Sequence, residues 1–427
     1  MVASNYDSDV REEDNVIQNK DRKLRTLKSA VIYGANASGK SKLHEALAFM
    51  KRFVITSSQN SQIGDPIGVD PFRLNIETEV SPSEFEVLFF FDNVRYRYGF
   101  EIDKKQVVAE WLFQKPKTKE IELFYREYQD IDFHSTLRSK GRFLHKEGAI
   151  RNNVLLLSVT AQFNDEISSN VISWFKGLRT ISGLRPEGYE AFTMHKVDDP
   201  EYKQKILQLL NAADISIDDL QLQMQSLNDI SKELSKELPI ELREKLLEEV
   251  AEEEEDPQFM SDVLTTHKKY DSNSKHVGIA TFSMQDDESS GTHKFFALTG
   301  PILDTLERGY ILLVDELDSK LHPNLVCRIV ALFNSKESNP KNAQLIFNTH
   351  DTNLLSSGLF RRDQIWFTEK DKLGAAKLFS LGDFSSKEVR KNEAFEDNYI
   401  RGKYGAVPYL GFFDELSIAT ADHENEK

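Results

Sequence analysis

Short apolar runs alternate along this chain with longer stretches in which apolar residues recur at helical spacing. Ala30 to Tyr33 is a β-branched and aromatic run that stops at Gly34, the pattern of a buried strand. Leu43, Leu47, Met50 and Val54 follow at helical intervals, so Lys40 to Val54 reads as a helix. Tyr310 to Val314 and Gln344 to Phe347 are further continuous apolar runs. Strands covered on both faces read this way, so together with Ala30–Tyr33 they predict a central, mostly parallel sheet.

Residues 85–126 carry a different pattern. Phe85 to Phe91 is followed by Asp92-Asn93 and then by a largely alternating run from Val94 to Ile102. Two such runs joined by Asp-Asn predict a hairpin. Strand-like segments near Val107–Phe113 and Ile121–Arg126 extend it into an antiparallel sheet. Tyr202 to Ala212 and Ile230 to Ala251 are rich in Lys, Glu, Leu and Ile at helical spacing, with Pro239 breaking the second. Glu252 to Asp256 is an acidic run of the kind found at solvated helix ends or loops. The predicted class is α/β. Residues 1–159 and 276–427 form two parts of one core, the first including the antiparallel subdomain, and 160–275 form a mainly helical insertion. The helical stretch is too interrupted for a long coiled coil. Residues 1–29 are polar and without periodicity, and read as a weakly ordered or incomplete lead-in.

Composition narrows the partners. The chain has 427 residues, 39% hydrophobic and 29% charged, and needs no staple to hold a core. Its net charge of −16 argues against coating nucleic acid by bulk charge, so any such contact must come from a local patch. The one cysteine, Cys327, lies in an amphipathic stretch and gives no disulfide framework, which favours a reducing compartment. No window approaches the ~20 apolar residues of a membrane span, and no basic-then-apolar leader opens the chain. The expectation is a cytoplasmic protein with no membrane partner.

The candidate chemistry begins with Gly34-Ala35-Asn36-Ala37-Ser38-Gly39-Lys40-Ser41, which fits G-x-x-x-x-G-K-[ST] between a strand and a helix. The glycines let backbone N–H groups curl around a β-phosphate, and the helix start adds positive dipole. Lys40 is expected on the β- and γ-phosphates and Ser41 on Mg²⁺, making ATP and Mg²⁺ the expected cofactors. Asp315-Glu316 ends the Tyr310–Val314 strand. Asp315 is expected to hold the magnesium water shell, and Glu316 to polarise the attacking water. Thr349-His350-Asp351 follows a third strand, where His350 can donate to the γ-phosphate. Glu288-Ser289-Ser290-Gly291-Thr292 precedes a helical stretch to about Leu306. It suits either an anion site or a plain helix cap.

In this order the motifs resemble those of ABC-type ATPase heads, in particular the SMC-like branch. The phosphate loop with Asn36 looks like that branch. Ser289-Ser290-Gly291-Thr292 resembles its signature motif, Leu317-Asp318-Ser319 its D-loop, and His350 its H-loop. The resemblance implies a P-loop NTPase acting as a homodimer, in which ATP on one subunit's Lys40 is capped by the other's Ser289 and Gly291. A closer resemblance spans nearly the whole chain. Pro71-Phe72-Arg73-Leu74, Tyr96–Phe100, Asp315–Asp318 with Leu321-His322-Pro323, Asn348–Thr352 and Gly402–Pro408 look like prokaryotic AAA-family ATPases of the RloA/AbiL type. That family implies an anti-phage role beside a separately encoded effector.

Two departures stand out. Relatives begin with strands carrying an Asn-Tyr/Phe-x-Ser-Phe stretch, and Met1-Val2-Ala3-Ser4-Asn5 resembles the residues just after it. The expectation is therefore that the first strands are missing here. A Q-loop glutamine has no clear position, although Gln59 and Gln62 lie in a polar stretch that could host it. A DNA-structure-binding repair-type ATPase stands as the alternative function. A nuclease with an appended Toprim domain finds too few residues after His350 and no paired acidic cluster there. A transporter subunit fits the hairpin-rich region and the insertion poorly, and intact Lys40, Ser41, Asp315 and Glu316 speak against a nucleotide sensor without turnover. The Tyr404–Tyr409 stretch is expected to pack on the core.

Overall fold

The structure is a computed structural model that describes residues 1–5, 10–18, 24–134, 137–226, 229, 231, 258–385, 387–390 and 393–408. Its centre is a six-stranded sheet in the order β16-β15-β3-β14-β13-β9. These strands are β3 (Ser29–Gly34), β9 (Leu178–Ser182), β13 (Ile311–Asp315), β14 (Gln344–Asn348), β15 (Ile365–Lys370) and β16 (Ala376–Ser380). All neighbours pair in parallel except β16, which returns antiparallel along β15. The three expected strands, β3, β14 and β13, sit side by side in the middle, where both faces are covered.

Two apolar cores flank the sheet. One joins it to the helices Ser290–Arg308 and Pro323–Asn334 through Phe295, Phe296, Val330 and Phe333. The other lies between the helix Lys40–Asn60 and a five-stranded antiparallel sheet. That sheet runs in order through β4 (Ser83–Phe91), β5 (Val94–Ile102), β6 (Val107–Lys115), β7 (Ile121–Glu127) and β8 (Asp130–Phe133). Asp92 and Asn93, with φ of 48° and 63°, make the tight β4–β5 turn. Both are left-handed, as the turn type favoured by the strand twist requires. In the buried centre of this subdomain Glu110 accepts from the backbone N–H groups of Leu156 and Leu157 and from Tyr98 Oη, with the Arg126 guanidinium 3.6 Å away.

Residues 160–275 hold the helices Glu166–Gly177, Glu187–Val197 and Pro200–Ala212, but they also supply strands. β9 joins the central sheet, while β10 (Asp219–Ser226) and β11 (Gln258–Tyr270) pair in a three-stranded sheet with β12 (His276–Ser283). Strand pairing over such sequence distances has no local pattern to announce it. The expected helix at Ile230–Ala251 and the acidic run at Glu252–Asp256 lie outside the described residues, Ser231 apart.

The lead-in differs from expectation in its described part. β1 (Val16–Ile17) pairs with β2 (Thr26–Leu27), and a short helix at Glu12–Asn15 buries Asn15 against Gln364. Arg361, fully buried, ties this segment down by donating to Val10 O, Ser4 O and Glu12. Polar residues of this lead-in are thus partners for a buried arginine. Near the other end Tyr404 is buried against Phe367, as expected, and Tyr409 lies outside the described residues. Among the described residues no helix is long and apolar enough to cross a membrane.

Candidate nucleotide-binding site

Adjacent parallel strands bring the candidate groups to one edge of the sheet. β3 runs into the Gly34–Ser41 loop, β14 into Thr349-His350, and β13 into Asp315-Glu316. The carboxyl edge of a parallel sheet is where ligands bind in such folds. There a cavity of about 1350 Å³ is lined by Asn36, Ser38, Gly39, Lys40, Ser41, Glu316 and His350.

The loop is built for close backbone approach. Gly39 takes φ of 108°, and a Cβ there would lie 2.8 Å from Ala376 Cβ. At Gly34 a Cβ would lie 2.4 Å from Thr368 Oγ1 and 2.5 Å from Ser38 Oγ. Ser38 Oγ and Thr368 Oγ1, 2.6 Å apart, fasten the loop to β15. The Lys40 ammonium donates to Gly34 O at 2.8 Å and Ala35 O at 3.1 Å. Burial pulls its pKa down, and Glu316, Asp315 and Asp318 oppose that pull. Ser41 opens the second position of the helix Lys40–Asn60, whose free N–H groups point toward the loop.

The acidic turn is held from behind. Asn348 donates through Nδ2 to Asp315 Oδ1 and accepts through Oδ1 from the Glu316 N–H. Glu316 takes a left-handed φ of 56°, which turns the chain sharply after the strand. Gly183, just past β9, donates to Asp315 O at 2.6 Å, and a Cβ on it would stand 2.1 Å from Glu316 O. His350 donates its backbone N–H to Asp318 Oδ2 at 3.2 Å, which links the H-loop and D-loop candidates. Asp318 Oδ1 is buried without a partner.

The Ser289–Thr292 turn sits apart. Ser289 caps the helix Ser290–Arg308 by accepting from Thr292 N at 3.1 Å, so the plain capping role is present. Ser289 and Gly291 do not line the cavity around Lys40. Gly291 packs on the D-loop side, where a Cβ would lie 2.9 Å from Lys320 O. One turn later the buried Lys294 donates to the carbonyls of Glu316, Leu317 and Ser319. Burial lowers its pKa to about 8.

A family model described as "AAA domain, putative AbiEii toxin, Type IV TA system" matches residues 29–356, well over half of the chain, from β3 through β14. The chain belongs to this AAA domain family. Its fold is α/β, with a mostly parallel central sheet, an antiparallel subdomain and flanking helices. No curated protein matches it. Among solved structures it is similar to an SMC head bound to the C-winged helix domain of ScpA. That likeness has 14% identity and a TM-score of 0.32, covering 84% of this chain and 92% of that one. It is also similar to the SMC head domain from Thermotoga maritima, with 11% identity and a TM-score of 0.37, covering 86% and 97%.

Several groups at the site of this AAA domain escape motif reading. Phe72 and Arg73, quoted only as part of a resemblance, line the cavity, as do His44 and Lys370. Asn348, Gly183 and Lys294 work through backbone groups, which no side-chain pattern reveals. The stretch with Gln59 and Gln62, which could host a Q-loop glutamine, follows the phosphate loop through one long helix. The helix begun at Lys40 continues to Asn60, so Gln59 lies about 30 Å along it from the loop. Among the described residues no cluster of three His, Cys, Asp or Glu side chains could hold a metal alone. Ser41 and Asp315 offer a sparse oxygen set, which suits Mg²⁺ because that ion keeps waters and phosphate oxygens as its other ligands.

Proposed function

We propose that this chain binds ATP with Mg²⁺ and hydrolyses it to ADP and phosphate, as a dimer that closes around nucleotide. Lys40 neutralises the β- and γ-phosphates, with the backbone of Gly34, Asn36, Ser38 and Gly39 around them. Ser41 and Asp315 hold the metal with its waters. Glu316 polarises the attacking water, and His350 orients the γ-phosphate. The partner subunit completes the site with its Ser289–Gly291 turn, and Asp318 lies at the contact between subunits.

The observation that carries this reading is the division of the groups. Lys40, Ser41, Glu316 and His350 line one cavity, whereas the exposed Ser289 and the half-buried Gly291 lie outside it. In the proposed reading a single subunit carries the catalytic half of the site, and a second copy brings its Ser289–Gly291 turn to the phosphates. The family description names a putative AbiEii toxin of a type IV TA system, which supports a place in anti-phage defence. Control of a separately encoded effector belongs to the proposed reading.

The test is oligomeric mass in solution with Mg²⁺-ATP for wild type and Glu316→Gln. The variant is expected to lose hydrolysis and to accumulate as an ATP-dependent dimer or larger assembly. An unchanged mass with ATP still turned over would overturn both the role of Glu316 and the shared site.

A further inference from the structure

We propose that Phe72 is the platform on which the base of the bound nucleotide stacks, and that it serves adenine and guanine alike. The inference rests on the ATPase reading above and adds a binding residue and a specificity that the motifs do not assign.

The order of the central sheet gives the cavity two sides. β13 and β14, which lead into Glu316 and His350, lie on one side of β3 and its phosphate loop, and β15 and β16 lie on the other. The turn between β15 and β16 bridges the phosphate loop to the segment that holds Phe72. A Cβ on Gly39 would lie 2.8 Å from Ala376 Cβ, and a Cβ on Gly374 would lie 2.6 Å from Leu74 Cδ1. Val69, Pro71, Phe72 and Leu74 line the same cavity as Lys40 and Ser41. At about 1350 Å³ it exceeds the roughly 300–1,000 Å³ of common ligand pockets, so it has room for more than the phosphates. With the γ-phosphate toward Glu316 and His350, the base points to this apolar side.

Three phenylalanines line the cavity, and two of them are already committed. The Phe49 and Phe85 rings are 5.2 Å apart and pack with Phe53 and Phe100 in the core of the antiparallel subdomain. Phe72 stands outside that core, with 37% of its surface exposed. Its backbone is nevertheless pinned. Phe72 O accepts from Thr78 Oγ1 at 2.8 Å, and Asn75 Oδ1 accepts from the N–H groups of Glu77 at 2.8 Å and Thr78 at 3.2 Å. The charged neighbours Asp70 and Arg73 pair with each other at 2.6 Å and are largely exposed. Discrimination between base edges comes from buried polar groups that a wrong base would leave unpaired. An aromatic face, by contrast, is open to every base. Stacking on Phe72 therefore holds either purine.

The experiment is calorimetry with Mg²⁺, titrating ADP, GDP and inorganic tripolyphosphate into wild type, Phe72→Ala and Phe72→Trp. The exposed site makes both variants compatible with the fold. Phe72→Ala is expected to weaken ADP and GDP alike by about 5–100-fold, with tripolyphosphate affinity unchanged. Phe72→Trp is expected to bind both nucleotides at least as tightly as wild type, and its added indole fluorescence should change with ADP or GDP and not with tripolyphosphate. Wild-type ADP affinity in Phe72→Ala, a parallel loss of tripolyphosphate binding, a loss confined to one purine, or an indole blind to both nucleotides would each overturn the proposal. A wild-type protein that binds none of the three would instead sink the ATPase reading beneath it.

Discussion

Asn348 holds Asp315 at the end of the neighbouring strand, its Nδ2 donating to the carboxylate while its Oδ1 takes the N–H of the next residue. Its backbone carbonyl also accepts from Leu317 N at 3.3 Å. One buried amide thus sets the direction of the acidic turn to which the proposed function assigns metal binding and water activation. Replacing Asn348 by Ala should leave metal-free nucleotide binding intact and lower kcat about 10–100-fold. Steady-state hydrolysis beside ADP titrations in EDTA reads both. An unchanged kcat would show that the turn keeps its shape without the clamp.

Gly183 touches the same turn from the other side. An added methyl would stand 2.1 Å from Glu316 O, a backbone atom that cannot swing away. Gly183→Ala should cost about 1–3 kcal/mol of stability and depress hydrolysis by displacing Glu316. Gly188→Ala, five residues on and facing open space, is the control and should be near neutral. Chemical denaturation of both variants gives the comparison.

The buried pair in the antiparallel subdomain is a stability element. Glu110 and Arg126 have no exposed surface, and burial raises the Glu110 pKa while Arg126 and the backbone N–H groups of Leu157 and Leu156 oppose it. Removing the carboxylate strands a buried guanidinium and two backbone donors. Glu110→Ala should cost about 3–5 kcal/mol, read as a lowered urea midpoint. A midpoint shift under 1 kcal/mol, using the roughly 1–3 kcal/mol per molar slope of urea unfolding, would mean that water replaces the carboxylate.

The pH dependence near the Ser289 turn follows from His293, whose Nε2 lies 2.7 Å from Glu190 Oε1. That hydrogen bond, with the charge of Glu190, lifts the imidazole pKa above 6.5 in the folded state, and burial acts against it. The folded protein therefore holds the proton more tightly than the unfolded chain. The pair's contribution is fully present below pH 6.5 and fades as pH rises through the folded-state value. The stability gap between wild type and His293→Gln should be larger at pH 6 than at pH 8.5. Equal gaps at both pH values would exclude the ionised pair.

Legibility in the sequence followed the range of the interaction. Ala30–Tyr33, Tyr310–Val314 and Gln344–Phe347 announce β3, β13 and β14 because a strand covered on both faces must be apolar throughout. Asp92-Asn93 announces its hairpin because few residues accept two left-handed conformations in succession. The phosphate-loop pattern is legible because backbone curvature and a lysine at fixed spacing are local requirements. The missed features are relations between distant segments. β9 joins the central sheet from within a helical stretch, and its five residues have no periodicity to set them apart. The charged residues around Glu12 have no periodicity to announce order, which comes from the buried Arg361 far along the chain.

The sequence by itself determined the elements and the chemistry available at each strand end, since periodicity, turn propensity and loop geometry act over a few residues. Only the tertiary structure decided that Asn348 clamps Asp315 and that Gly183 closes on Glu316. It also set Ser289 and Gly291 outside the cavity that holds Lys40. These are contacts between segments brought together by sheet order, and hydrogen-bond partners chosen by packing leave no trace in the spacing of residues along the chain.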